Sequence, residues 1–266
     1  NHSGNRTPTP ILRVGFPASR GVVPAWRVRA VVPCHDRPGD VQRLISDLAG
    51  LNLGDGRIGL SVLLIDNASR QPFTALESPA DLDVRLIRLN ENVGGSGGFS
   101  RGMEEVLSGG VPGDSHELIW LLDSDVRLEA GALEGLIEAM DRHPDLAGAG
   151  SVLADPVTGE VFEAGGEVDS RTGELVQELP RDWEQRRMIP AGYVAACSLL
   201  ARWSAVQKVG FWDERYFIYC DDADWCLRMA KAGHRVVLNL DAVVYHIPWL
   251  LKSTPERSYY AQRNAA

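Results

Sequence analysis

Short, continuous apolar runs alternate along the first half of the chain with segments whose apolar residues recur every three or four positions. The runs at residues 28–33, 60–65, 84–89 and 119–122 have the length and composition of strands buried on both faces. Between them, Val41, Leu44, Ile45 and Leu48 share one helical face that closes at Gly50, and residues 99–107 and 129–141 predict two further helices. Strands alternating with helices imply an α/β fold with a mostly parallel, right-handed sheet. The second half is less regular. Residues 147–153 predict a strand, 161–177 two extended arms around the turn Asp169-Ser170-Arg171-Thr172-Gly173, and 191–200 a strand of small residues. An aromatic segment at 211–219 leads into a helix from Asp221 to about Lys231. Gly233 ends that helix, 236–245 is a last extended segment ending in His246, and a helix starts at Pro255. Residues 1–26 lack periodicity and read as an extended lead-in to one domain over 27–250. Residues 251–266 read as the start of a C-terminal helical segment that continues further. There is no internal repeat.

With 266 residues, 44% of them hydrophobic, the chain can bury one large core. A net charge of −9 with no basic stripe argues against a nucleic-acid partner. Cys34, Cys197, Cys220 and Cys226 form no C-x-x-C pair, so reduced thiols in a cytoplasmic protein are expected. No apolar run has the length of a membrane span. The expectation is a soluble protein or, at most, one peripheral at the inner face of the membrane.

The run at 119–122 stops at Asp123-Ser124-Asp125. Alternate residues of an extended chain point the same way, so both carboxylates can face one point and hold a hard divalent cation such as Mg2+ or Mn2+. The same acids suit a helix cap, and spacing alone leaves the two readings even. Ligands of parallel sheets bind beyond the carboxyl ends of the strands. Asp36, Arg37, Asp66, Asn92 and the Asp123/Asp125 pair all fall just past predicted strand ends, and that coincidence favours a binding site. The glycine run at 94–98 lets backbone approach a ligand and offer N–H groups ahead of a helix, with Arg101 one turn further on. By itself the run reads first as a flexible turn, and it is neither a P-loop nor a dinucleotide fingerprint. At the later acidic segment, Asp221 suits an N-cap, while Asp222 suits a general base that the helix N-terminus would keep ionised. His246 gains a metal role only if the last strand returns beside Asp125.

Together these segments resemble the family 2 glycosyltransferases of GT-A, Rossmann-like fold, over about residues 28–264. Asp123-Ser124-Asp125 is similar to the family's D-x-D metal motif. The segment from Phe217 to Arg228 resembles its F-x-x-x-[ED]-D-x-[DE]-x-x-x-R motif, whose second acid is the base. Cys220 departs from the large residue frequent at that place. Within the family, the segment from Asn92 to Arg101, that from Val244 to Trp249 and Tyr259-Tyr260-Ala261-Gln262-Arg263-Asn264 are most similar to actinobacterial galactofuranosyltransferases that build cell-wall galactan. Rhamnosyltransferases of the family share most of these motifs.

The resemblance implies an inverting transferase using a nucleotide-sugar, UDP-galactofuranose first and dTDP-rhamnose as the alternative, with a glycan or lipid-linked glycan acceptor. By the same resemblance Arg37, Asp66, Asn92, Gly95, Arg101 and Asp123 hold the nucleotide-sugar. Asp123, Asp125 and His246 hold Mg2+ or Mn2+, and Asp222 is the catalytic base. Two readings of other classes stand beside it. One is a phosphatase of haloacid-dehalogenase type using Asp123-Ser124-Asp125-Val126; the other is a non-catalytic nucleotide-sugar-binding module.

Overall fold

The computed structural model describes residues 12–14, 25–73, 76–109, 116–169, 171–177, 180–247 and 254–264. In chain order these form β1 (Leu12–Val14), β2 (Trp26–Cys34), α1 (Pro38–Ala49), β3 (Ile58–Asp66), β4 (Asp83–Arg88), α2 (Gly94–Ser108), β5 (Glu117–Leu122), β6 (Arg127–Leu128), α3 (Ala132–Arg142), β7 (Leu146–Ala154) and β8 (Val161–Glu163). There follow β9 (Glu167–Val168), β10 (Leu175–Val176), β11 (Met188–Ala191), β12 (Ser198–Arg202), α4 (Trp203–Val209), α5 (Asp221–Lys231), β13 (Arg235–Tyr245) and α6 (Pro255–Asn264).

One eleven-stranded sheet runs in the order β1-β4-β3-β2-β5-β12-β7-β13-β11, with β6 and β8 paired at its rim. β4, β3, β2 and β5 are mutually parallel. β12 runs against both β5 and β7, and β13 is parallel to β7. The carboxyl ends of β2, β3, β4, β5, β7 and β13 therefore share one edge, and there β12 presents its amino end. Every residue of β5 is buried, as the apolar run requires of a central strand. Its alternate residues feed two cores. Trp120 and Leu122 face the side covered by α1 and α3, while Ile119 and Leu121 face the side covered by α2, α4 and α5. The buried Trp120 indole donates to Ser198 Oγ at 3.1 Å, which pins β12 beside β5.

Three sequence readings change. Inside the lead-in, Leu12–Val14 forms an edge strand antiparallel to β4. Residues 191–200 are not one strand: β11 ends at Ala191, β12 begins at Ser198, and the segment between crosses the carboxyl edge. The third change concerns the glycine run, which is itself the first turn of α2. A Cβ on Gly98 would lie 2.7 Å from Pro33 Cβ, one on Gly102 would run into Val31, and one on Gly94, at φ +74°, would strike the Phe217 carbonyl. Glycine is used here to seat a helix directly on β2, a tertiary demand that outweighs its poor helix propensity.

Gly102→Ala should therefore destabilise the protein by about 1–3 kcal/mol through overpacking against Val31. Gly131→Ala, where a Cβ meets nothing within 4 Å, should stay within about 0.5 kcal/mol. Urea denaturation of both variants checks the pair.

Candidate active site at the carboxyl edge of the sheet

The acids after β5 reach the cleft because the chain extends beyond the strand before turning into β6. β6 pairs antiparallel with the end of β13, Leu128 opposite Val244 and Arg127 opposite Tyr245. Tyr245 in turn lies opposite Ala154 of β7, whose carbonyl accepts the His246 amide at 3.0 Å. These pairings set Asp125 against His246: its Oδ1 lies 3.2 Å from Nε2, with Asp123 Oδ2 at 3.9 Å from the same nitrogen. His246 is buried, whereas Asp123 is half-exposed. Because β12 is antiparallel to β5, Cys197 arrives at the same point. Its thiol donates to Asp123 Oδ2 at 3.2 Å, and its carbonyl accepts the Asp123 amide. One ligand atom each from Asp123, Cys197 and His246 falls within 4.8 Å of the others, a donor set of the kind that holds a divalent cation.

The second acidic segment enters from α5. Its N-cap is Cys220, at φ 59° in the left-handed region, so Asp221 lies inside the first turn and is not the cap. Among the described residues, three of the six non-glycine residues at positive φ, Phe217, Tyr219 and Cys220, stand directly before the acids. Each costs roughly 1–3 kcal/mol, so neighbouring contacts must hold this turn. Asp221 is buried and accepts Ser96 Oγ at 2.5 Å, and the Ser96 amide donates to the Phe217 carbonyl at 3.2 Å. The start of α5 is thus locked to the start of α2.

Asp222, the next residue, is half-buried. Its Oδ2 accepts the Ala196 amide at 3.3 Å and its Oδ1 accepts the Ala223 amide at 2.8 Å. Consecutive residues, Ala196 and Cys197, therefore grip Asp222 and Asp123, and the segment between β11 and β12 is the bridge between the two acidic motifs. Burial, then the charge of nearby Glu163, push the Asp222 carboxyl well above the usual carboxylate range. Burial and Asp222 do the same to Asp221. Against the expectation that the helix N-terminus keeps Asp222 ionised, desolvation here favours its protonated form.

The other residues named from the sequence are distributed unevenly. Arg37 stands at the mouth, 3.7 Å from Asp125 Oδ2 and 3.2 Å from Asp40. With Arg43, Arg127, Pro156 and His246 it lines a cavity beside Asp125. Asp66 is fully buried, its carboxylate taken by Arg88 at 2.5 Å and by the Ser69 amide at 2.9 Å, so in this conformation it offers no surface to a nucleotide. Asn92 spends its Oδ1 on the Gly94 amide at 2.9 Å, a local turn bond. Gly95 is half-buried and has room around it, the nearest atom to an added Cβ being the Phe217 carbonyl at 3.9 Å. Arg101 lies at the surface and pairs with Glu104 and Glu214, at 2.9 and 3.3 Å. Pro248 and Trp249 lie outside the described residues.

Sequence reading missed Cys197 and Glu163. Glu163 ends β8, which pairs with the end of β7 beside His246. Burial raises its pKa, His246 opposes the shift and the charge of Asp123 adds to it. A lone glutamate at the end of a three-residue strand carries no pattern that would have flagged it, since its place depends on pairing across the sheet.

Among the described residues no helix is long and apolar enough to cross a membrane. Comparison with known proteins agrees with the geometry. The sequence profile described as glycosyl transferase family 2 matches residues 30–190, and that of glycosyl transferase family group 2 matches residues 118–263. The N-acetylglucosaminyl-diphospho-decaprenol L-rhamnosyltransferase of Mycobacterium tuberculosis is 31% identical over 218 residues, 75% of this chain and 70% of that protein. The galactofuranosyltransferase GlfT2 of the same species is 28% identical over 258 residues, 88% of this chain but only 39% of the longer protein. Among solved structures, a Pyrobaculum calidifontis mannosyltransferase in complex with GDP-mannose and Mn2+ superposes with a TM-score of 0.59 at 14% identity, over 83% of this chain and 56% of that one. The fold is that of the GT-A glycosyltransferases, and with sequence profile, relatives and sheet-edge geometry in agreement, the chain belongs to glycosyl transferase family 2.

Proposed function

We propose that the chain is an inverting, metal-dependent transferase that moves a sugar from a nucleotide-sugar to a hydroxyl of a glycan or lipid-linked glycan. The observation that carries this reading is the convergence of Asp123, Asp125 and His246 on one side of the cleft with Asp222 on the other, joined through Ala196 and Cys197. Asp125, Asp123 and His246 would hold the cation, with Cys197 beside them. Imidazole and sulfur next to carboxylate favour Mn2+ over the strictly oxygen-seeking Mg2+. When bound, the cation supplies positive charge that offsets the diphosphate as the glycosidic bond breaks. Arg37 adds a second positive charge at the cleft mouth. Asp222, poised by burial near neutrality, accepts the proton of the acceptor hydroxyl while its oxygen attacks the anomeric carbon from the face opposite the diphosphate. A single displacement inverts that centre.

The sequence resemblance favours UDP-galactofuranose. One observation favours dTDP-rhamnose instead: the rhamnosyltransferase likeness is the higher one and spans most of both chains.

With either donor, Asp222→Asn should lower transfer by about 10²–10⁴-fold, while calorimetric binding of UDP or dTDP with Mn2+ is retained. Loss of binding as well would reassign Asp222 to structure. Transfer should rise with pH through neutrality, because a base with a raised pKa is ionised only above it. Glu163→Gln removes a neighbouring negative charge, so it should move the acid limb of the kcat/KM profile to lower pH. His246→Ala should weaken Mn2+ binding, read by calorimetry in the presence of UDP, by at least about tenfold.

A further inference from the structure

α6 buries none of its residues. A ten-residue helix is marginal by itself in water, so something other than an apolar face must seat it. Its C-terminal end does so. Arg263 Nη2 donates to the carbonyls of Arg215 and Tyr216 at 2.5 and 2.7 Å. Asn264 Nδ2 lies 2.9, 2.7 and 3.0 Å from the carbonyls of Tyr216, Ile218 and Tyr219. Tyr260 stacks on Phe217 with ring centroids 4.6 Å apart, and the Arg263 guanidinium sits 4.8 Å over the Tyr260 ring.

The captured segment is the strained turn just before Asp221 and Asp222, with Phe217, Tyr219 and Cys220 at φ 65°, 71° and 59°. Its other side is held by Ser96 of α2, through the Phe217 carbonyl and the Asp221 carboxylate. The carbonyls of Arg215, Tyr216, Ile218 and Tyr219 flank the positive-φ residues of this turn, and α6 brings a guanidinium and an amide to them. From this we infer that Arg263 and Asn264 are positioning residues. They hold the turn at residues 215–220 in its left-handed form and so fix the direction in which Asp222 enters the cleft. The inference rests on Asp222 being the base.

The test uses Asn264→Ala, Arg263→Ala and Arg263→Lys in the full chain. Turnover is followed as nucleoside diphosphate released from UDP-galactofuranose or dTDP-rhamnose, whichever the parent protein uses. Misdirecting a reacting group by about 1 Å can cost on the order of 10²-fold. Both alanine variants should therefore lose roughly ten- to a hundredfold in kcat while the donor KM stays within about twofold, and Arg263→Lys, which keeps a donor in reach of the carbonyls, should recover part of the loss. Hydrogen exchange should accelerate at residues 216–222 and not in β5 or β13. Parent-like kcat in both alanine variants would overturn the inference. So would kcat, donor KM and melting temperature falling together with no recovery in Arg263→Lys, since that is general loss of structure. Asp222→Asn run in parallel separates the two levels. If it retains turnover, the base assignment itself fails; if it is inactive while both alanine variants are parent-like, only the positioning role fails.

Discussion

The short antiparallel pairing of β6 with the end of β13 is the constraint on which the site depends. Asp125 and His246 are 121 residues apart in sequence, and each sits just beyond a strand whose own register is fixed by buried neighbours. Two backbone pairings, Leu128 with Val244 and Arg127 with Tyr245, convert that distant pair into a 3.2 Å contact. A one-residue slip in β13 would turn its side chains to the opposite face and withdraw the imidazole. The long parallel partnership of β13 with β7, and the packing of α3 beneath both, oppose that slip.

The cleft so formed concentrates negative charge. Asp123, Asp125, Glu163, Asp221 and Asp222 approach one another with His246 and Arg37 as the neighbouring cationic or ionisable groups. Such a cluster costs stability unless some carboxyls take up protons or a cation joins them. The fold divides the acids accordingly. Asp123 and Asp125 stand beside His246 and Cys197, where a metal would be held. Asp221 is buried on a hydroxyl and serves packing, and Asp222 is half-buried with its affinity for a proton raised. One segment, between β11 and β12, touches both groups. That segment thereby couples the two acidic motifs.

Much of this architecture was legible in the sequence, for identifiable reasons. Buried strands announced themselves as unbroken apolar runs, and the helices α1, α3 and α5 as amphipathic periods closed by glycine or charge. The paired acids after β5, Asp222 and His246 could be singled out as candidates, because strand ends and helix starts are positions that patterns do mark. What the sequence did not display was whatever depended on contacts across the sheet. The glycine run looked like a loop, yet its small size serves the close seating of α2 on Val31 and Pro33. Asp66 looked available at a strand end, yet Arg88 on the neighbouring strand neutralises it. Arg101 looked like a phosphate ligand, yet two glutamates claim it. The small residues before β12 looked like strand, yet they form the bridge that places Cys197 and the Ala196 amide. Cys197 and Glu163 carried no local signal at all, since antiparallel pairings of β12 and β8 alone bring them in.

The central claim is that one cleft holds both the cation and the base. Its most direct test is anomalous diffraction from crystals grown with Mn2+ and UDP. The account predicts a manganese peak bonded to Asp125 and His246, on the side of the cleft that Asp222 faces. A peak at another site, or UDP bound with no manganese near these two residues, would contradict it.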